Sequence, residues 1–313
     1  MTAAPRPCHH ATMSPPSFAE LRGLIARHGS ADAAPLRALP DVRLMTIAAP
    51  TRPFAHVSEP ILALVAQGKK RIGLGGRTIE CRAGQSMIVP VDLPMDAQVV
   101  EATAEAPFMS FSLRLKPEAI AGLLLESGTV GQDRNDSAGV VVCDLDDDLI
   151  EPVIRLLRLL DRPADIRVLF ASIEREILWR LINGKQGALV RQIGVAGGRV
   201  TQVASAIRCI RSRFAEAIRI EELAGIAGMS VTSFHRHFRA VTSMTPIQYQ
   251  KQIRLQAARA RILSGMRDVA AIGFAVGYQS PAQFSREYRR QFGQPPSRDG
   301  ASLRAQGQGA AAS

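Results

Sequence analysis

Cysteine is scarce in this sequence: Cys8, Cys81, Cys143 and Cys209 are the only four among 313 residues, and none is paired by spacing. That excludes a disulfide framework and a zinc arrangement, and fits reduced thiols in a cytoplasmic protein. Long apolar runs are absent too. None approaches the ~18 residues that cross a bilayer, so no membrane partner is expected. The stretch from Met1 to Phe18 is rich in Pro, Ala and His without a continuous apolar centre, and does not read as a secretory signal. Histidine is thin where a metal-dependent barrel enzyme would need a cluster: between residues 42 and 116 there is only His56. Cys8-His9-His10 lies in a tail that would bind metal only adventitiously. The acidic run Asp144 to Asp148 lacks the sixth-position glycine and closing glutamate of a calcium loop. No metal, cofactor or catalytic residue is expected.

Acidic residues run short in one region only. The chain has 39 Lys plus Arg against 28 Asp plus Glu, a net of +11. Between Arg199 and Arg304 there are 17 basic and 6 acidic residues; the remainder holds 22 of each. The whole excess therefore lies in the last third, which points to a polyanion partner there and to a different role for the neutral part. A hydrophobic content of 46% with 21% charged residues is that of a soluble globular chain, and the length suits two domains.

Residues 1–17 and 301–313 read as disordered tails. A short helix is expected over Phe18–His28. From about Val42 to Lys116 the pattern is one of short alternating segments, with Gly75-Gly76 as a tight turn and Gln85–Val91, Met95–Glu101 and Pro107–Leu115 as strands punctuated by Pro90, Pro94 and Pro107. Such strands make a small barrel or sandwich. Lys69-Lys70-Arg71 reads as a solvated strand edge. Cys81 alternates with Ile79, so both face the interior, where Cys81 packs, senses an electrophile or lines an effector pocket. Pro117–Leu125 is a helix and Gly128–Gly139 a polar loop. Two amphipathic helices follow: one opens on the acidic run with Leu149, Val153, Leu156, Leu157 and Leu160 on one face. The other, Asp165–Ile182, carries Ile166, Leu169, Phe170, Ile173, Ile177, Leu178 and Leu181. They serve as core or as a dimer seam. Gly197-Gly198 is the expected linker.

The basic third contains an internal repeat at an offset of 50. Ser230, Phe234, Arg236, Phe238, Arg239 and Pro246 match Ser280, Phe284, Arg286, Tyr288, Arg289 and Pro296. In each copy a short apolar helix leads through a tight turn, Gly228-Met229 or Gly277-Tyr278, to a serine N-cap and a second helix. Phe234 and Phe238, or Phe284 and Tyr288, share an inward stripe. Thr232, His235, Arg236 and Arg239 face outward in the first copy, and Ala282, Gln283, Ser285, Arg286 and Arg289 in the second. This is helix-turn-helix logic, in which a braced second helix enters a major groove. Thr245-Pro246 caps a connector helix from Ile247 to about Leu263, long enough to place two such helices in successive grooves.

The segments Leu-Ala-Gly-Ile-Ala-Gly-Met-Ser (223–230), Phe-His-Arg-His-Phe-Arg (234–239), Thr-Pro-Ile-Gln-Tyr (245–249), Arg-Leu-Gln-Ala-Ala-Arg (254–259) and Val-Gly-Tyr-Gln-Ser-Pro-Ala-Gln-Phe-Ser-Arg-Glu-Tyr-Arg-Arg-Gln-Phe-Gly-Gln-Pro-Pro (276–296) resemble the DNA-binding domain of AraC/XylS-type transcription regulators. The stretches 65–71, 83–94 and 107–113 resemble the cupin-like N-terminus of the same family. Two positions depart from the family pattern. Ser243 stands where the first copy usually has glycine, which costs about 1 kcal/mol if the residue is left-handed. Ser297-Arg298-Asp299 replaces the usual aromatic-Arg ending.

The resemblance implies a two-domain chain. Residues 18–196 form an effector and dimerisation domain with a barrel at about 42–116 and helices at about 145–183. Residues 199–300 form an all-α DNA-binding domain. Double-stranded DNA, a small-molecule effector, a second copy of the chain and, for an activator (the commoner mode in the family), RNA polymerase are the implied partners. Arg236 and Arg286 are expected to read bases or hold phosphate; Thr232, His235, Ala282, Gln283 and Ser285 to lie at base edges; Arg239, Arg289 and Arg290 to hold phosphates. His237 is expected beside the core. Two rivals predict other behaviour: an architectural protein that binds DNA by charge alone, and a barrel enzyme with a DNA-binding tail.

Overall fold

The computed structural model describes residues 15–32, 34–128, 139–266 and 268–299. The first helix, α1 (Pro15–His28), begins inside the stretch expected as tail; residues 1–14, 301–313 and most of the polar loop lie outside the described residues. Nine strands follow: β1 (Val42–Ile47), β2 (Phe54–Ser58), β3 (Ile61–Gln67), β4 (Lys69–Leu74), β5 (Arg77–Arg82), β6 (Gln85–Val89), β7 (Leu93–Glu101), β8 (Phe108–Arg114) and, after helix α2 (Pro117–Glu126), β9 (Val141–Asp144). They form two antiparallel sheets, ordered β1-β8-β3-β6-β9 and β2-β7-β4-β5, joined along one side where β5 meets both β3 and β6. Gly75 and Gly76 close the β4–β5 hairpin with φ of 57° and 82°, the left-handed pair that suits a two-residue turn.

Period-2 alternation gives β1, β3 and β8 of the five-stranded sheet one face toward α1. Leu21, Leu24 and Ile25 of α1 are buried over that sheet, and Thr46 Oγ1 donates to the Ile25 carbonyl. The sequence reading did not set apart β1 and β3 within the alternating stretch, and β2 and β9 gave no signal of their own. β2 is flanked by prolines and β9 is only four residues long, so neither shows a run of alternation. Pro94 does not punctuate; it lies inside β7 opposite Val57, beyond the Gly73–Asp96 pair where the β4 ladder ends. Lys69-Lys70-Arg71 is not a solvated edge either. β4 runs between β7 and β5, and alternation turns Lys70 inward while Lys69 and Arg71 meet Glu80.

Helices α3 (Asp147–Arg158), α4 (Pro163–Asn183) and α5 (Gly187–Gly194) pack beside the sheets, with a 3-10 turn at Leu159–Asp161. Leu149, Val153, Leu156 and Leu157 of α3 are buried as the periodicity requires. On α4 the inner stripe narrows to Ile173, Ile177, Leu178, Leu181 and Ile182. Leu169 is exposed, and so are Val168 and Trp179. At Gly197-Gly198, between α5 and α6, the chain turns a corner. Gly197 adopts φ 73°, and the core runs unbroken from Leu189 and Ile193 of α5 to Val200 and Val203 of α6 (Arg199–Ser212). The rest is helical: α7 (Ile220–Ile226), α8 (Val231–Thr242), α9 (Pro246–Leu263), α10 (Val269–Ala275) and α11 (Pro281–Phe292). Among the described residues no helix is long and apolar enough to cross a membrane.

Candidate nucleic-acid interface

Each copy of the repeat folds as a helix pair, α7–α8 and α10–α11. Ser230 Oγ accepts from the Ser233 backbone N–H at 3.4 Å and Ser280 Oγ from that of Gln283 at 3.3 Å. The turns need glycine. Gly228 has φ 64° and Gly277 φ 92°, and a Cβ on Gly277 would lie 2.1 Å from the Ala215 carbonyl oxygen. Inward, Phe234 meets Phe238 edge-on at 5.4 Å and Phe238 meets Tyr249 of α9 at 5.6 Å. The second copy repeats this with Phe284, Tyr288 and Phe292, and Gly273 lets α10 approach the Phe284 ring.

The outward positions lie where the spacing put them. Thr232, His235, Arg236 and Arg239 are exposed on α8, and Ala282, Gln283, Arg286, Arg289 and Arg290 on α11. Ser285 is half-buried rather than fully outward. His237 is buried against the core side, with Nε2 3.4 Å from the Arg236 guanidinium. Among the described residues no carboxylate pairs with Arg236, Arg239, Arg286, Arg289 or Arg290. Arginines elsewhere, such as Arg71, Arg158 and Arg180, are matched by acids. Five unmatched cations on two parallel-capped helices form a surface suited to phosphates and base edges.

The connector holds the two units in one geometry. Its N-terminus carries a reciprocal capping box between Thr245 and Gln248. Arg254, which the sequence reading placed only in a family segment, donates to the carbonyls of Phe214 (2.6 Å), Glu216 (2.8 Å), Gly277 (3.0 Å) and Ala215 (3.3 Å). One guanidinium thus ties the α6–α7 loop of the first unit to the turn of the second. Alternation of charge could not have revealed this, because all four acceptors are main-chain.

Two departures from the family pattern resolve physically. Ser243 ends α8 with φ 59°, the one left-handed non-glycine residue among those described. Asp299, in the atypical ending, is buried; it accepts from Tyr288 Oη at 2.7 Å and from Arg259 at 3.0 Å, closing the second unit.

The β domain sits behind the reading helices. Gly75 at the hairpin tip abuts the Ser243 carbonyl, Tyr249 Oη donates to the Asp92 carbonyl, and Gln291 Nε2 donates to Asp96. These contacts reach the C-terminal ends of α8 and α11 and leave their N-terminal faces free. Cys81 is buried on the inner face of the four-stranded sheet, and burial pushes its thiol up to about 11, so it is protonated and a weak nucleophile near neutral pH.

The profile described as AraC-type transcriptional regulator N-terminus matches residues 38–189, and that of a helix-turn-helix domain matches 223–300. The chain is 27% identical over 154 residues to the HTH-type transcriptional activator RhaS of Escherichia fergusonii, covering 49% of this chain and 54% of that protein. It is 31% identical over 123 residues to the RCS-specific HTH-type transcriptional activator RclR of Escherichia coli, covering 39% and 37%. The chain thus spans about half or less of the length of these curated relatives. Among solved structures, ToxT from Vibrio cholerae shares the fold with a TM-score of 0.52 over 82% of this chain and 95% of ToxT, at 9% identity. An AraC-type N-terminal sequence joined in one polypeptide to a doubled helix-turn-helix places the chain in the AraC/XylS family of transcription regulators.

Proposed function

We propose that the chain is a sequence-specific, non-enzymatic transcription regulator, with residues 199–300 reading a bipartite DNA site and residues 18–196 receiving a small-molecule signal. The observation that carries this reading is the pair Arg236 and Arg286: the same outward position on two serine-capped helices, both without an acidic partner among the described residues. Arginine at such a position reads guanine bidentately or holds phosphate. Thr232, His235, Ala282, Gln283 and Ser285 complete the base-facing set, and Arg239, Arg289 and Arg290 the phosphate-facing set.

Action in the cytoplasm as an activator, through RNA polymerase and as a homodimer, is the mode in keeping with the family. The exposed Val168, Leu169 and Trp179 of α4, beside exposed Leu125 of α2, support a dimer face. The test is selection of bound DNA from a random pool, with and without candidate small molecules. A specificity ratio of at least ~10³ at physiological salt is expected. Binding that is steeply salt-dependent yet blind to sequence would mean an architectural protein instead.

A further inference from the structure

The second reading helix carries an acid that the base-facing and phosphate-facing sets do not use. Glu287 is the one acidic residue of α11, and its side chain is only 18% exposed. An acid on a helix that meets phosphates works against binding unless it is paired or put to use. Lys251 Nζ of α9 pairs with one carboxylate oxygen at 2.6 Å, and Tyr278 Oη, from the turn before α11, donates to the other at 2.9 Å. Two bonds from two different elements fix where this carboxylate stands.

Gln283 stands one turn before Glu287 on the same helix, and the i,i+4 spacing brings their side chains together. Both line the groove beside α9 with Lys251 and Tyr278. Burial pushes the Glu287 carboxyl up, but hydrogen bonds from Lys251, Tyr278 and the Gln283 side chain outweigh it and hold it below the usual glutamate range. A carboxylate only accepts, so the Gln283 amide meets it with an N–H. The carbonyl oxygen and the second N–H of that exposed amide remain for other partners. Side by side they are the edge that pairs with the N6 amino group and N7 of adenine. An amide free to turn over would suit the acceptors of guanine and thymine as well. The first copy treats the matching position comparably: His237, fifty residues before Glu287, is buried and takes a contact from Arg236 Nη2 at 3.4 Å.

We propose that Glu287 is a positioning residue for base reading: it holds one amide N–H of Gln283, so that Gln283 presents its carbonyl oxygen and remaining N–H to the groove and selects adenine. The proposal rests on the DNA-reading assignment above and adds to it the base that Gln283 reads and the residue that sets this choice. Glu287 touches no base itself. Lys251 and Tyr278 keep its carboxylate at a fixed point, which ties the orientation of the amide to the seating of α11 against the connector.

The test uses the full chain and the DNA that it selects from a random pool. Gln283→Ala should relax preference at one position of the site, and that position should be an A·T pair. Replacing its adenine by unsubstituted purine, which lacks the 6-amino group, should weaken binding by the parent about tenfold or more. Glu287→Met should cut that loss to about threefold or less, and Gln283→Ala should abolish it. The double variant Lys251→Met/Glu287→Met leaves neither charge stranded; it should behave as Glu287→Met does, and it carries the test if the single variant does not fold. A brace that merely seated α11, or an acid that merely opposed phosphates, would change affinity for the adenine and purine sites by the same factor, and that result overturns the proposal. So does a G·C pair at the Gln283 position. If Gln283→Ala relaxes the position and neither Glu287 variant alters the purine loss, the DNA-reading assignment stands and the role of Glu287 falls. If the parent binds without sequence preference, or Gln283→Ala keeps every preference, the assignment of Gln283 falls and the proposal falls with it.

Discussion

Tyr249 donates its phenolic hydroxyl to the backbone carbonyl of Asp92 at 2.8 Å while its ring packs edge-on against Phe238 of the first reading helix. One side chain thereby joins the β domain to the core of the first helix-turn-helix, and Arg211 fastens the same corner by pairing with the Asp92 carboxylate at 2.7 Å. Tyr249→Phe keeps the ring and strands the Asp92 carbonyl in a site where Tyr249 is fully buried. The cost should be about 1–2 kcal/mol, read as a fall in Tm of a few degrees, with binding to the isolated DNA site unchanged. An unchanged melt would mean that water reaches the carbonyl and that the junction is loose.

Ser243 holds a left-handed conformation at the end of α8, relieved only by its N–H bond to the Arg239 carbonyl. The strain of that conformation is about 1–2 kcal/mol for a residue with a Cβ. Glycine returns about 0.4–1 kcal/mol of this through the greater freedom of its unfolded chain. Relief wins, so Ser243→Gly should raise stability by roughly 0.5–1 kcal/mol in chemical denaturation. The equivalent position of the second copy is already Gly293, with φ 78°, and Gly293→Ser should lower stability by a similar amount.

What was legible in the sequence follows from where the information is local. The repeat, its serine caps, the Phe234–Phe238 and Phe284–Tyr288 stripes and the connector are set by residues within four positions of one another, and all are present. Helices α5 and α6 passed unnoticed because they flank the glycines that read as a linker, although α6 carries a full apolar stripe of Val200, Val203, Ala206, Ile207 and Ile210. Lys70 misled for a related reason. Three consecutive cations look like a solvated edge, but β4 has a neighbour on each side, and which strands flank it is a property of topology. The Arg254 clamp was invisible because carbonyl acceptors carry no residue identity.

His56 gives the β domain a defined acid response. Its ordinary value of about 6.5 is held down to about 4 in the folded chain by burial first and by the Lys70 and Arg43 charges after it. Above pH 6.5 neither state binds the proton and stability is full. As pH falls from 6.5 toward 4 the unfolded chain gains a proton that the folded chain refuses, so stability drops. The loss should reach about 2 kcal/mol by pH 5. His56→Gln removes the titrating group, so the stability of the parent minus that of the variant should fall by about 2 kcal/mol between pH 7 and pH 5. A parent and variant with parallel pH profiles would place the imidazole in contact with water.

Arg254 bears on DNA recognition without facing DNA. Its guanidinium serves carbonyls of the α6–α7 loop and of the Gly277 turn together, and Gln250 Nε2 adds bonds to the Phe214 and Glu216 carbonyls from one turn earlier on α9. Arg254→Met preserves the aliphatic stem and helix propensity but leaves these acceptors short of donors, at a cost of about 2–4 kcal/mol. The reading faces themselves would be untouched. DNA selected by the variant should therefore keep the two half-site sequences, while the preferred spacing between them broadens and affinity for the full site falls more than affinity for either half. Altered half-site sequences with an unchanged spacing would show instead that Arg254 acts on the reading helices, not on the angle between them.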